Sequence, residues 1–469
     1  MSLSREWLQR ARSIVGGDLL IMDEEVEPYS HDEFATDEFR RRPEAVARPH
    51  SEEEVARLVA FCAESGVPVT ARGAGTGLSG SCLPSPGGIV MSLERLNRVI
   101  DADRANHTIT VQAGMTLGQL YGEAGAMGLF FPPHPGDEGA FIGGAVATNA
   151  GGARAVKYGT IRRFVLGLQV VLADGQLVEF GGKLIKSSMG YNLLNLMIGS
   201  EGTLGVITRV TLALLPPAGS VETLIVPFPE VSQAVQAVPA ILDRGIIPTA
   251  VEFIPHRVMR CAERLLQRSW PAKGGSASLL IILDGFRQEE VIAQAEALSE
   301  VLESGGALDV LLAESKARQA EILEMRSMLY EALRPGTAEL FDICVPCSQI
   351  VGHVQFVREL EERLGIKLPT YGHAADGNVH THHMRQSLDD GVLGGEIPNW
   401  RETREAVRQA LYEDAIGRGG VISGEHGIGE VKRAYLERNL GSATLAIMRS
   451  VKRALDPKGI LNPGKIFDD

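Results

Sequence analysis

The chain is short of several things, and each shortage excludes a class of protein. Five cysteines in 469 residues are too few for a disulfide framework and agree with a reducing compartment. Basic residues number 46 against 59 acidic ones, a formal charge of -13. Such a balance disfavours nucleic acid and offers no polybasic patch to an anionic membrane. No apolar run approaches the roughly twenty residues of a transmembrane segment. The opening residues, MSLSREWLQRAR, put charges where a secretory signal needs its apolar core. These absences predict a cytoplasmic protein with no nucleic-acid partner and no transmembrane segment. At 44% hydrophobic residues the chain has material for two or three domains with large cores.

Glycine is what the chain has in quantity, and it is clustered. The segment 68–80, PVTARGAGTGLSG, sets Gly73, Gly75, Gly77 and Gly80 among Thr76 and Ser79. Glycine lets the main chain turn with positive φ and approach a ligand with no Cβ in the way, and consecutive N–H groups then line an anion site. A Walker loop would need a Gly-Lys-Ser/Thr ending, and no lysine is present. A Rossmann fingerprint would need a helix next, where the chain has Pro84-Ser-Pro-Gly-Gly88 and a strand-like run. Read alone, the segment is a structural glycine loop about as often as a nucleotide site.

A short helix is expected over 51–66, then short strands at 67–72, 88–93, 107–113, 165–172 and 205–215, with a second glycine block at 143–152. From residue 221 strands at 223–226 and 277–284 alternate with amphipathic stretches at 231–244, 289–304 and 315–332, an α+β or α/β pattern. A helix-rich segment at 398–418 leads to Ser423-Gly-Glu-His-Gly-Ile-Gly429. Cys344-Val-Pro-Cys347 has the spacing of a redox or metal pair. It lies in an apolar strand-like run without a second cysteine pair, so its role is read as structural.

Taken in order, the first glycine loop, the block 143–152, Ile198-Gly-Ser-Glu-Gly-Thr-Leu-Gly-Val-Ile-Thr208 and Asp456-Pro-Lys-Gly-Ile-Leu-Asn-Pro-Gly-Lys465 resemble FAD-linked oxidases of the vanillyl-alcohol-oxidase type. Gly372-His-Ala-Ala-Asp-Gly-Asn-Val-His380 and the 423–429 loop are similar to the D-2-hydroxyacid dehydrogenase branch, which holds D-lactate dehydrogenase, the glycolate oxidase flavin subunit and D-2-hydroxyglutarate dehydrogenase. The resemblance implies an α+β fold: a two-part FAD-binding domain (1–217, rejoined by 421–469) with an inserted α+β substrate or cap domain (218–420). It implies that Arg72, Gly73, Ala74, Gly75, Thr76, Gly77, Leu78 and Ser79 wrap the FAD pyrophosphate. Pro133, Gly136, Gly143, Gly144, Thr148, Asn149 and Gly151 would line the rest, with Tyr158, Gly159, Glu201, Ile207 and Asn462 as weaker carry-overs. The first loop lacks the histidine that covalent members use, so the FAD is expected to be noncovalent. His134 stands where related chains have aspartate, and its role stays open.

In the second half, Asp376-Gly377 suits a two-residue type I′ turn, which would set His373 directly opposite His380. Directly opposed Cβ atoms lie about 4.5–5.5 Å apart, close enough to share an ion. By spacing alone the ordinary reading is two surface histidines on a polar hairpin; the resemblance reverses that order. It implies that His373, His380 and Glu425 hold a divalent metal, Zn²⁺ or Mn²⁺, although His382 or His383 could replace a named ligand. Adjacent loop residues point apart, so His426 would face flavin and substrate as the general base, unless it caps a helix starting near Glu430. Arg326, with Tyr330 one turn on, would bind the substrate carboxylate; on sequence alone it is a solvated helix arginine. Dicarboxylate-using relatives carry lysine where this chain has Leu340, which favours D-lactate or glycolate. Electrons would leave through an electron-transferring flavoprotein, a quinone or an iron–sulfur partner subunit, since the chain has no cysteine cluster of its own. Attachment at the inner membrane through a partner and a homodimer are both compatible assemblies. Two other readings stand beside this one: a metal-independent oxidase of the same fold, and a flavoprotein subunit with little activity alone.

Overall fold

The computed structural model describes residues 3–34 and 39–468. It divides into two compact units, one made of residues up to 151, 160–217 and from 425 on, the other of 152–159 and 218–424.

In the first unit, β1 (Leu19–Leu20), β2 (Ala45–Ala47), β3 (Val69–Arg72) and β4 (Ile89–Ser92) form a sheet in the order β1-β2-β4-β3. The β2, β4 and β3 strands run parallel. Strands that run parallel need a crossover connection, and the helix Glu52–Ser65 makes it from β2 to β3, with β4 later inserted between them. Ser51 caps its first turn by accepting the Glu54 amide at 3.2 Å, three glutamates follow at the positive end, and Gly66 closes it at φ 67°. A second sheet is antiparallel: β5 (Val99–Asp103), β6 (Thr108–Gln112), β7 (Val165–Val171), β8 (Leu177–Gly181) and β9 (Val206–Ala213), ordered β5-β6-β9-β7-β8. The chain's last segment returns to β3, where the Val69 amide donates to the Ile460 carbonyl and the Asn462 amide donates to the Val69 carbonyl, each at 2.8 Å. Lys452 holds that return. Its buried ammonium donates to the Thr203 carbonyl at 2.9 Å, the Leu461 carbonyl at 2.7 Å and the Asp456 carboxylate at 2.5 Å. The helix Ser442–Leu455 that carries it has no counterpart in the sequence expectations.

The second unit is built on one antiparallel sheet of seven strands, which resolves the α+β alternative in favour of α+β. Its strands are β10 (Ser220–Phe228), β11 (Ala250–Pro255), β12 (Ala277–Gly285), β13 (Leu311–Leu312), β14 (Thr337–Cys344), β15 (Thr370–His373) and β16 (Asn378–Met384), in the order β13-β10-β12-β11-β15-β16-β14. The helix Gln288–Ser304 packs on β10 and β12, and Trp400–Gly417 packs on β14. The amphipathic stretch at 231–244 is two helices, Val231–Gln236 and Val238–Asp243, because Pro239 in the second helix's first turn cannot donate a backbone hydrogen bond across the joint.

The expected hairpin register is corrected. His373 pairs with Asn378 and Tyr371 with His380, so the connection is the four-residue turn 374–377. Asp376 accepts the Asn378 amide at 3.2 Å, and the Val345 amide donates to the Gly377 carbonyl at 3.0 Å, which stabilises the longer turn. A slip of two residues keeps every side chain on its face.

Two predictions follow from buried charges. Lys452→Met leaves Asp456 ionised in a dry site, so the urea midpoint should drop by the equivalent of about 3–5 kcal/mol; an unchanged midpoint would contradict the caging role. His383 is buried against Arg404 and Arg408, and burial followed by those two cations pushes its pKa down to about 4. Between the ordinary value of 6.5 and about 4 the unfolded chain takes up a proton that the folded chain refuses. Stability should therefore fall as pH drops through that window, by up to about 3 kcal/mol. His383→Asn should flatten the decline in urea titrations run at pH 7 and pH 4.5.

Candidate functional site

In the first unit the two glycine blocks meet. A Cβ on Gly73 would lie 3.6 Å from the Cα of Gly144, and one on Gly143 would lie 2.6 Å from the Cβ of Ala113, so larger residues would close the space. Gly75 turns at φ 84°, and a Cβ there would strike the Arg72 guanidinium. That guanidinium is itself placed by the Pro28 carbonyl and the Cys82 sulfur, both at 3.2 Å. The Gly80 amide donates to Asp32 at 2.8 Å and the Glu33 amide donates to the Gly77 carbonyl at 3.0 Å, so the segment around Asp32 backs the loop. Asp32 went unnoticed in the sequence, where it is a polar residue in an irregular stretch. The result is a concave backbone surface bared by glycine, which fits a dinucleotide pyrophosphate.

The other candidates in this unit fall into place around it. Thr148 bonds back to the Gly144 carbonyl at 3.1 Å, and Asn149, at φ 52°, accepts from Thr160 at 3.0 Å. Gly136 turns at φ 94° beside Pro133, whose carbonyl accepts from Tyr121 at 2.8 Å; the same hydroxyl lies 3.1 Å from His134 Nδ1. Ile207 is buried in β9. Glu201 is wholly engaged: its carboxylate accepts the Ile428 amide at 2.8 Å, the Gly429 amide at 2.7 Å and the Ser81 hydroxyl at 2.5 Å, while its carbonyl accepts from Asn462 Nδ2 at 2.7 Å. The Ser79 carbonyl accepts the Glu430 and Val431 amides at 3.1 Å. These bonds fasten the 425–431 loop beside the glycine loop. Two expectations for that loop change. The helix starts at Arg433, not near Glu430, and the Glu425 and His426 side chains do not point apart: Glu425 Oε1 and His426 Nε2 lie 3.8 Å from each other. The loop is bent, with Gly427 at φ 86°, so strand alternation does not apply to it. Glu425 also packs on Gly151, where a Cβ would come 2.8 Å from its carboxylate.

In the second unit Tyr158 and Gly159 belong to the segment 152–159, where the Tyr158 hydroxyl donates to Asp284 at 2.6 Å. The sheet face carries the rest. Tyr371 and His373 of β15, Asn378, His380 and His382 of β16, Asp342 of β14 and Glu252 of β11 share it, because the register pairs Glu252 with His373, Tyr371 with His380 and His380 with Asp342. The His373 and His380 rings stand edge to face with centroids 5.3 Å apart. His373 Nδ1 lies 2.5 Å from Glu252 Oε1, and Arg326 Nε donates to Glu252 Oε2 at 2.9 Å. Burial pushes the Glu252 carboxyl up, but the Arg326 guanidinium and then His373 outweigh it and hold the group at about 2. Arg326, on the helix Lys316–Leu333, is thus a partly buried arginine fixed by a carboxylate, not a solvated one. Tyr330, on the same helix, lies 6.2 Å from the His382 ring. His382 is held by Thr337 at 2.9 Å and Tyr371 at 3.3 Å, and His383 Nε2 is 3.0 Å from Thr403 on the opposite face. Asp342 accepts from Asn378 at 2.7 Å and Ser423 at 3.0 Å. Cys344 and Cys347 are free thiols aimed at the Asp376 and Ala375 carbonyls of the turn. Two imidazoles on one buried face, one of them backed by a carboxylate, are a donor set that fits a divalent ion. Glu252 was missed in the sequence; the signal available was a lone carboxylate inside the apolar run Ala250-Val-Glu-Phe-Ile-Pro255.

Residues 43–181 match the family described as FAD binding domain, and residues 218–466 match FAD linked oxidases, C-terminal domain. The chain is 43% identical over 422 residues to the D-lactate dehydrogenase of Archaeoglobus fulgidus, covering 90% of each. It is 36% identical over 446 residues to the glycolate oxidase subunit GlcD of Bacillus subtilis, covering 94% of this chain and 92% of that one. Among solved structures it shares the fold of p-cresol methylhydroxylase at 18% identity (TM-score 0.77, covering 99% and 96%). The 4-ethylphenol oxidase of Gulosibacter chungangensis is similar at 19% identity (TM-score 0.77, covering 100% and 98%). The chain belongs to the FAD-linked oxidases of the vanillyl-alcohol-oxidase type, in the branch of D-lactate dehydrogenases and glycolate oxidase subunits, and is a flavin-dependent oxidoreductase.

Proposed function

We propose that this enzyme oxidises a small D-2-hydroxyacid, D-lactate or glycolate, to the 2-oxoacid, using noncovalent FAD and a divalent ion, Zn²⁺ or Mn²⁺. The observation that carries this reading is the sheet face on which His373 and His380 stand 5.3 Å apart with Arg326 anchored beside them. Bound FAD would supply the acceptor for the hydride of C2, and a bound ion would supply the Lewis acidity that lowers the pKa of the substrate hydroxyl. The residues around them bind, orient and move the proton. His373 and His380 are the proposed metal ligands, joined by Glu425. Arg326 binds the substrate carboxylate, with its guanidinium oriented by Glu252 at the Nε edge. Tyr330 assists on the same helix. His426 receives the hydroxyl proton, so the hydride and the proton both leave an alcohol that becomes a carbonyl. Arg72 to Ser79, Pro133, Gly136, Gly143, Gly144, Thr148, Asn149 and Gly151 are proposed to hold the FAD, through backbone where glycine bares it. Glu201 and Asn462 act on that surface through the loops they tie. Tyr158, Gly159 and Ile207 remain weaker members of the set.

Leu340 neighbours His382 across the β14–β16 pair, which supports a small apolar substituent on the acid over a second carboxylate. Electrons are proposed to pass to a separate acceptor, an electron-transferring flavoprotein, a quinone or an iron–sulfur subunit. Among the described residues no helix is long and apolar enough to cross a membrane; the enzyme is proposed to work in the cytoplasm, alone or held at the inner membrane by such a partner. Because several relatives are named as subunits, a second reading is a flavoprotein that needs its partner for turnover.

The first test follows flavin absorbance without oxygen as D-lactate, L-lactate, glycolate and D-2-hydroxyglutarate are added. Bleaching by D-lactate or glycolate is expected, lost after chelation and restored by Zn²⁺ or Mn²⁺. His426→Ala should keep its yellow colour and slow the bleaching by about 10²–10⁴-fold. A yellow protein that no acid bleaches, even with metal present, would sink the hydroxyacid reading for the isolated chain and favour the subunit reading.

A further inference from the structure

We infer that Glu252 is a positioning residue which sets the ring tautomer of His373 and the guanidinium of Arg326 at once, so that metal affinity and substrate-carboxylate affinity depend on one buried carboxylate. The inference rests on the metal reading proposed above and extends it to a residue that touches neither metal nor substrate. Its basis is the division of labour between the two oxygens. Oε1 faces His373 Nδ1 at 2.5 Å and Oε2 accepts from Arg326 Nε at 2.9 Å, in a side chain only 2% exposed.

An ionised carboxylate can only accept, so the ring nitrogen facing it must carry the hydrogen. For a neutral His373 that places the lone pair on Nε2, the form a metal ligand needs. Histidines that bind metals commonly donate their other N–H to a carboxylate in this way, which fixes the ring and raises its basicity. The same carboxylate holds the Nε edge of Arg326 and so fixes the plane in which its other nitrogens lie. Three elements converge on this one group: β11 supplies Glu252, β15 supplies His373 directly opposite, and the helix Lys316–Leu333 supplies Arg326. A buried ion pair that served packing alone would be replaceable without effect on any ligand.

The test is a calorimetric titration of Zn²⁺ into FAD-loaded, chelator-stripped protein, wild type against Glu252→Gln, which keeps the size and removes the charge. The variant should bind Zn²⁺ about 10–100-fold more weakly, and its KM for the acid that bleaches the flavin should rise. Equal Zn²⁺ affinity in the two proteins would overturn the inference and leave the metal reading standing. A wild-type protein that takes up no Zn²⁺ would instead overturn the metal reading and this inference with it. Should Glu252→Gln fail to fold, ¹⁵N-histidine spectra of the wild type decide, with the His373 signals assigned by their loss in His373→Gln. A ring protonated at Nδ1 supports the inference and one protonated only at Nε2 defeats it, whether or not metal is present.

Discussion

A buried carboxylate with both oxygens engaged organises each unit of this protein. In the first unit it is Glu201, whose two oxygens receive the Ile428 and Gly429 amides and the Ser81 hydroxyl. Without that acid the Ile428 and Gly429 amides would lose their acceptor, and the loop would be held against the glycine segment only through the bonds at Ser79. In the second unit it is Glu252, between Arg326 and His373. Neither acid sits where ordinary burial rules put one. Each is retained because several donors arrive at it from different parts of the chain.

Close main-chain packing is the complement of these charges. Gly429 lies so near the Ser79 carbonyl that any side chain would collide with it, and Gly143 rests on Ala113 in the same manner. Glycine here serves two distinct purposes. At Gly75 it permits a positive φ, and at Gly143 it permits an approach between segments distant in sequence. The concave glycine surface depends on both, since one shapes the loop and the other sets its depth.

The glycine clusters were legible in the sequence because their signal is local: composition and spacing within a dozen residues. Five of the strands around them were legible for the same reason, to within two or three residues at each end, whereas Leu19–Leu20, Ala45–Ala47, Val99–Asp103 and Leu177–Gly181 were not. What could not be read was pairing. The hairpin of His373 and His380 was expected to turn on two residues and turns on four, because Asp376 and Val345 supply bonds to the turn that no local pattern announces. The face survived since the error was an even number. Glu252 was invisible for a deeper reason: its meaning lies in residues 74 and 121 positions away. The Glu425 and His426 tips were misplaced by applying strand alternation to a loop that glycine bends.

The arrangement of the first unit also imposes an order in time. Its glycine loop leaves the ribosome early, but the residues that clasp it, from Glu425 through Asn462, come after the whole stretch from Ala218 to Gly424. At synthesis rates of ~5–20 residues per second, that delay is roughly 10–40 s. Through that interval β3 has no Ile460 or Asn462 beside it and Glu201 has no amides to accept. The second unit, whose sheet is drawn from consecutive segments, can fold in the meantime. The nascent chain therefore spends its longest pause with an open glycine surface and a half-satisfied acid, the stretch for which a chaperone or early flavin capture would matter most.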